Sequence, residues 1–143
     1  YRLYIEGREQ TPYSSAPEIS NAKASAISSG GYTVSADIGG VNEISYVAIA
    51  TYPASKGESA ARWSVIYSPS KHISETVGVS DFGNLSDTYV TVIMAYDEYG
   101  NMSTKTVSAY IDTSPTTVSN IEISAVTAKG YAVTCKVSDI NKT

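Results

Sequence analysis

His72 is the only histidine of the chain, and Ser70 and Ser74 stand two residues to either side of it. A histidine beside a serine is the minimum for nucleophilic catalysis, in which the imidazole takes the hydroxyl proton. Neither serine lies in a Gly-x-Ser-x-Gly elbow or a comparable context. No second His or Cys accompanies His72 at a metal-ligand spacing. His72 therefore reads as an exposed or edge-strand residue. Asp97, Glu98 and Asn101 offer the oxygen ligands that calcium takes, but an EF-hand loop needs oxygens at alternating positions. Around Gly100 the same residues suit a capped turn, with Asp97 and Asn101 bonding nearby backbone. Cys135 is the single cysteine, which excludes an internal disulfide framework and a multi-cysteine metal site. The sequence thus calls for no catalytic group, no cofactor and no metal.

The aromatic residues carry more. There are 12 Tyr, 1 Trp and 1 Phe, so tyrosine supplies nearly all the rings. Rings bind sugars by stacking on their C–H faces, and Tyr52, Trp63 and Tyr67 would form such a platform if exposed together. Trp63 and Tyr67 alternate with Val65, however, and a Trp packed between two sheets is the expectation from that pattern. Tyr96 and Tyr99 flank the expected turn and are the better candidates for exposure. The possible ligand-contacting aromatics are Tyr52, Trp63, Tyr96 and Tyr99.

Strands must hold these residues. Ser, Thr, Gly, Val, Ile and Tyr abound while Leu is scarce, and period-2 alternation recurs. Tyr32, Val34, Ala36 and Ile38 alternate with polar residues; Val47, Ile49 and Thr51 alternate with Ala48 and Ala50. Tyr89, Thr91, Ile93 and Ala95 line one face of a strand whose other face is Val90, Val92 and Met94, so that strand is expected to be central and covered on both sides. Turn signals separate the runs every 8 to 15 residues, the spacing of an all-β sandwich. Seven strands are predicted, at 19–28, 31–38, 43–52, 62–68, 72–79, 88–96 and 104–111, with one helical turn over 56–62.

The chain also repeats itself. Residues Ile19 to Glu43 align with Val118 to Lys142 without a gap at an offset of 99. Ser20-Asn21 matches Ser119-Asn120, and Gly31-Tyr32-x-Val34 matches Gly130-Tyr131-x-Val133. That period is the size of one small sandwich and far above that of solenoids. The expected organisation is a closing strand of a preceding module plus linker at 1–17, one complete module at 18–112, and a linker with the first two strands of a following repeat at 113–143. Cys135 falls opposite Ala36, on the apolar face, and is expected in a core. Two strands alone expose edges and a bare face. The rest of the next module is expected in the parent chain, or strands are exchanged with a neighbouring molecule. The chain opens on Tyr1 and reads as an internal stretch.

With a net charge of −4 and no basic cluster, nucleic acid is not an expected partner. No apolar run approaches the length of a membrane span.

The run Tyr89-x-Thr91-x-Ile93-x-Ala95-x-Asp97-x-x-Gly100-Asn101-x-Ser103 resembles the sixth strand and following turn of bacterial immunoglobulin-like and fibronectin type III-like surface repeats. The likeness covers roughly 18–112. It implies an Ig-like antiparallel β-sandwich and places Tyr89 at the tyrosine corner, its hydroxyl bonding upstream backbone. The stretch Tyr46 to Trp63 with Asp81 to Asn101 looks similar to the Bsp-like repeats of streptococcal and clostridial surface proteins; Trp63 holds its place, whereas their Pro-Thr-Trp is replaced by Ala50-Thr51-Tyr52-Pro53. A Lys–Asn isopeptide crosslink, which such repeats sometimes carry, is not expected: Lys23 is on the first strand but 104–111 contains no Asn. The resemblance implies a non-catalytic repeat of an extracellular, cell-surface bacterial protein. It would act as a spacer or as an adhesive module contacting neighbouring repeats and a host or cell-wall glycan or protein. The alternative is an accessory carbohydrate-binding module of a secreted glycan-degrading enzyme.

Overall fold

A computed structural model describes residues 14–115, 117–127 and 130–138. The strand expected at 1–6 and most of the entry linker lie outside the described residues. Strands β1 (Glu18–Ser28), β2 (Gly31–Gly39) and β5 (His72–Gly78) form one antiparallel sheet in the order β1-β2-β5. Strands β3 (Ile44–Pro53), β4 (Arg62–Tyr67), β6 (Asp87–Asp97) and β7 (Met102–Ile111) form the second, in the order β4-β3-β6-β7. The expected seven-stranded all-β sandwich is present, each strand within two residues of its predicted ends. The helical turn is the 3-10 segment Glu58–Ala60. One boundary differs in kind: Val79, expected at the end of β5, opens a second 3-10 segment, Val79–Phe82, and tucks into the core.

Alternation sends Tyr32, Val34, Ala36, Ile38, Ile73 and Val77 inward from the three-stranded sheet. Val47, Ile49, Tyr89, Ile93, Ala95, Val107 and Ile111 come inward from the other. Each large aliphatic side chain so buried contributes about 1.5–3 kcal/mol. The two layers are also joined by hydroxyls. Tyr32 Oη lies 2.7 Å from Thr91 Oγ1, which lies 2.9 Å from Thr51 Oγ1. Burial pushes the Tyr32 phenol up, so it stays neutral as a partner in this chain. At the edge where β4 and β5 meet, Ser64 Oγ donates to Glu75 Oε1 at 2.9 Å and ties one sheet to the other.

Strand β1 is bulged twice, between Ser20 and Lys23 and between Ser25 and Ser28. Asn21 and Ala26 sit at φ of 51° and 52° in these irregularities. Strands β8 (Thr117–Thr127) and β9 (Gly130–Ser138) form a two-stranded sheet whose ladder reproduces this hairpin 99 residues on: Glu18↔Gly39 becomes Thr117↔Ser138, Ala24↔Val34 becomes Ile123↔Val133, and the shifts fall at the same places. Gly31 and Gly130 share φ values of 146° and 144°. At Gly31 any side chain would also collide with the Val77 carbonyl of β5, 1.9 Å from a Cβ. Cys135 on β9 is exposed, although its counterpart Ala36 is fully buried. The expected core position is corrected here: β8 and β9 pair only with each other among the described residues, and Val133, Cys135 and Val137 along β9 are exposed.

Candidate functional site

Directly opposed residues of an antiparallel pair share a face. The register therefore fixes what the outer side of the four-stranded sheet presents. One row is Tyr67, Tyr46, Tyr96, Met102; the next is Val65, Ala48, Met94, Thr104; the third is Trp63, Ala50, Val92, Thr106; then Tyr52, Val90, Ser108, and last Thr88 and Tyr110. No Asp, Glu, Lys or Arg occurs in these rows. The Tyr46 and Tyr96 rings stack at 4.6 Å and 16°, and Tyr67 leans on Tyr46 at 6.0 Å. Such offset pairs hold ring positions beyond what area burial alone gives.

Trp63 is 64% exposed, Tyr67 74% and Val65 43%. The expectation of a Trp packed between the sheets is therefore corrected. Strand β4 turns its other set inward, Ser64 and Ile66, because Ser64 is needed at the Glu75 crosslink and Trp63 pairs with outward-facing Ala50. A second correction concerns β6. It is central, but Val90, Val92 and Met94 are only half-buried, screened by their neighbours within the sheet rather than by a covering layer.

Of the four candidate aromatics, three come together on this face. Tyr52 and Trp63 border a recess of about 180 Å³, with Ala50, Val92 and Met94 beneath and Ala61 and Glu58 at the rim. The small Ala50 makes the depth: it is buried although it faces outward. Tyr96 lies in the tyrosine row beyond. Tyr99 is on the β6–β7 turn, half exposed, and does not belong to the recess. Sequence reasoning missed Tyr46, Tyr67's stacking role, Tyr110 and Met102; only the cross-strand register reveals them.

The turn residues do something else. Asp97 Oδ1 accepts from the Tyr99 and Asn101 amides at 2.9 Å each, and Oδ2 accepts from the Asn101 and Asn42 side chains, also at 2.9 Å. Burial pushes the Asp97 carboxyl up, but these donors outweigh it and hold it at about 2. Asn42 also donates to the Ser15 carbonyl, so the turn grips the entry segment. Gly100, at φ 86°, supplies the left-handed position. Tyr89 Oη donates to the Leu85 carbonyl at 2.6 Å, four residues upstream. These four residues, Tyr89, Asp97, Gly100 and Asn101, are structural in their contacts.

On the opposite outer face, His72 Nδ1 meets Asp37 Oδ1 at 2.7 Å, and Asn21 donates to Asp37 Oδ2 at 2.7 Å. The Asn21 and His72 hydrogen bonds hold the Asp37 carboxyl below the usual range. Ser70 Oγ is directed to the His72 carbonyl, not to its ring. Among the described residues no group of three His, Cys, Asp or Glu is placed to hold a metal ion, and no helix is long and apolar enough to cross a membrane. No protein-family model matches the chain, and no curated protein sequence matches it.

Proposed function

We propose that this sandwich is a non-catalytic Ig-like repeat of an extracellular bacterial surface protein, and that it works as a binding module through the outer face of its four-stranded sheet. The observation that carries the reading is the aromatic, uncharged row structure of that face, with Trp63 and Tyr67 standing open to solvent. Contiguous exposed apolar surface of this kind marks interaction sites. Two further observations support the repeat. The β8–β9 hairpin copies the β1–β2 ladder, bulges included. The tight backbone at Gly31 recurs in the φ of Gly130. The bonds from Asn42 to Ser15, and from Ser103 Oγ to the Pro17 carbonyl at 2.6 Å, fasten the entry segment to the module, as a semi-rigid array requires. The carbohydrate-binding alternative gains from the same face, since it needs an open aromatic pair.

The test is retention. Beads carrying the chain are passed over cell-wall sacculi and mucin-coated surfaces. The wild type and a Ser74→Ala/Thr76→Ala control should be held equally on at least one surface, and a Trp63→Ala/Tyr67→Ala variant should be lost from it. Equal behaviour of all three, on every surface, would remove the aromatic face from the function.

A further inference from the structure

We propose that the recess between Trp63 and Tyr52, together with the tyrosine row beyond it, binds a neutral, β-linked glycan chain laid along the outer face of β4, β3 and β6. This rests on the reading of that face as the working surface and names its ligand.

Size comes first. At about 180 Å³ the recess is smaller than the roughly 300–1,000 Å³ of pockets that enclose a whole small molecule. It has room for about six waters at roughly 30 Å³ each, which is the scale of one pyranose ring. The indole of Trp63 forms one wall, and the apolar side chains of Ala50, Val92 and Met94 form the floor. A ring face made only of C–H bonds fits such a wall and floor, while the hydroxyls at the ring edge stay in water.

Charge comes second. The rows of this face carry hydroxyls and rings but no ionised group. An anionic polymer would find no cation there to replace its lost hydration. Glu58 at the rim is the one carboxylate of the recess and is an acceptor for neighbouring hydroxyls of a neutral sugar. Along β7, Thr104, Thr106 and Ser108 set a line of hydroxyls beside the apolar band, on the same face. Stripes of apolar and hydroxyl groups in parallel match a chain that presents C–H faces and hydroxyl edges.

Shape comes third. Trp63 and Tyr67 lie four residues apart on one side of β4, so their rings are about 13 Å apart along the strand. The face between them is filled by Val65 and Ala48 and has no barrier. Equatorially β-linked hexose chains are extended ribbons that can lie on such a strip and touch both rings. An α-linked chain curls away. The larger concavity of about 560 Å³ on the far side of the 3-10 turn, near Lys56, Arg62 and Asp81, is charged and belongs to a different surface.

Trp63 is the only tryptophan, so its emission reports this site alone. The full chain is titrated with cellohexaose, chitohexaose, maltohexaose and polygalacturonate. The expected result is a saturable emission change with one or both β-linked hexamers and none with the other two. By calorimetry, Trp63→Ala should weaken that binding at least about tenfold. Tyr67→Ala should reduce the hexamer to the affinity of the corresponding dimer, and Ser74→Ala should change nothing. Both aromatic positions are exposed, so the variants should stay folded; the thermal melt of Trp63→Ala should match the wild type, and that of Tyr67→Ala should fall only slightly through loss of the ring contact with Tyr46. Absence of binding to both β-linked hexamers overturns the proposal. So does equal binding of polygalacturonate, or sedimentation as a dimer that Trp63→Ala converts to a monomer. If the β-linked hexamers fail while Trp63-dependent retention on a surface persists, the ligand class falls and the binding face stands. If both fail, both readings fall.

Discussion

The two outer faces of this sandwich are built on the same backbone geometry and could hardly differ more in chemistry. The three-stranded sheet shows water Ser20, Lys23, Ser25, Thr33, Asp37, His72, Ser74 and Thr76. The four-stranded sheet shows it Trp63, Val65, Tyr67, Tyr46, Val92, Met94 and Tyr96. An antiparallel sheet with one solvated side needs polar residues on that side and nothing more. The first face meets that requirement. The second departs from it over four strands at once, and stability of the core does not call for the departure, because the inner layer is already filled. A surface more apolar than the inner core requires fits the binding role proposed for it.

Substitution should separate the faces most clearly in stability. Tyr46→Ala removes the ring between Tyr96 and Tyr67 and should cost about 2 kcal/mol in denaturant unfolding, between a fully buried and an exposed aromatic. Thr76→Ala on the other face should stay within about 0.5 kcal/mol. Equal costs would erase the distinction drawn here. Next in size is the response to acid. Asp97 is held at about 2 in the fold against 3.8 when free. A depressed carboxylate stabilises the fold above its unfolded value and loses that contribution as pH falls through the folded one. Stability should therefore drop between about pH 4 and pH 2. Asp97→Asn should flatten that drop in pH-dependent melts. Asp37 on the polar face is lowered in the same direction, but its pair with His72 is exposed and screened by salt. Asp37→Asn should leave the acid profile at high salt unchanged. The smallest effect is expected for His72→Gln at neutral pH, a change in melting temperature near the error of the measurement. A large one would show that the polar face does more than stay solvated.

Much of this was legible in the residues. Alternation located the strands, and the Asp97-x-x-Gly100-Asn101 spacing located the turn. Alternation states that Trp63 and Ser64 face opposite ways, but it does not state which way is in. Hydrophobicity argued for Trp63, and the structure chose Ser64, whose hydroxyl closes the sandwich edge on Glu75 eleven residues later. The aromatic face was hidden for a related reason. Tyr46, Tyr67 and Tyr96 belong to three strands and become neighbours only through the register between them. Cys135 and Ala36 share a ladder position but not an environment: Ala36 is buried between two sheets, and Cys135 is exposed on a sheet of two strands.

The bulges of β1 have a consequence for folding. Strands β1 and β8 carry the same pattern of paired and skipped residues, so either has a ladder that fits β2 or β9. Backbone bonding alone does not tell the correct partner from the one 99 positions away. Proximity along the chain does: β1 reaches β2 across the two residues Ser29 and Gly30, and so short a closure is faster than one spanning a whole module. The nearer strand is therefore expected to dock first, so that the rate of closure, and not the ladder, selects the partner.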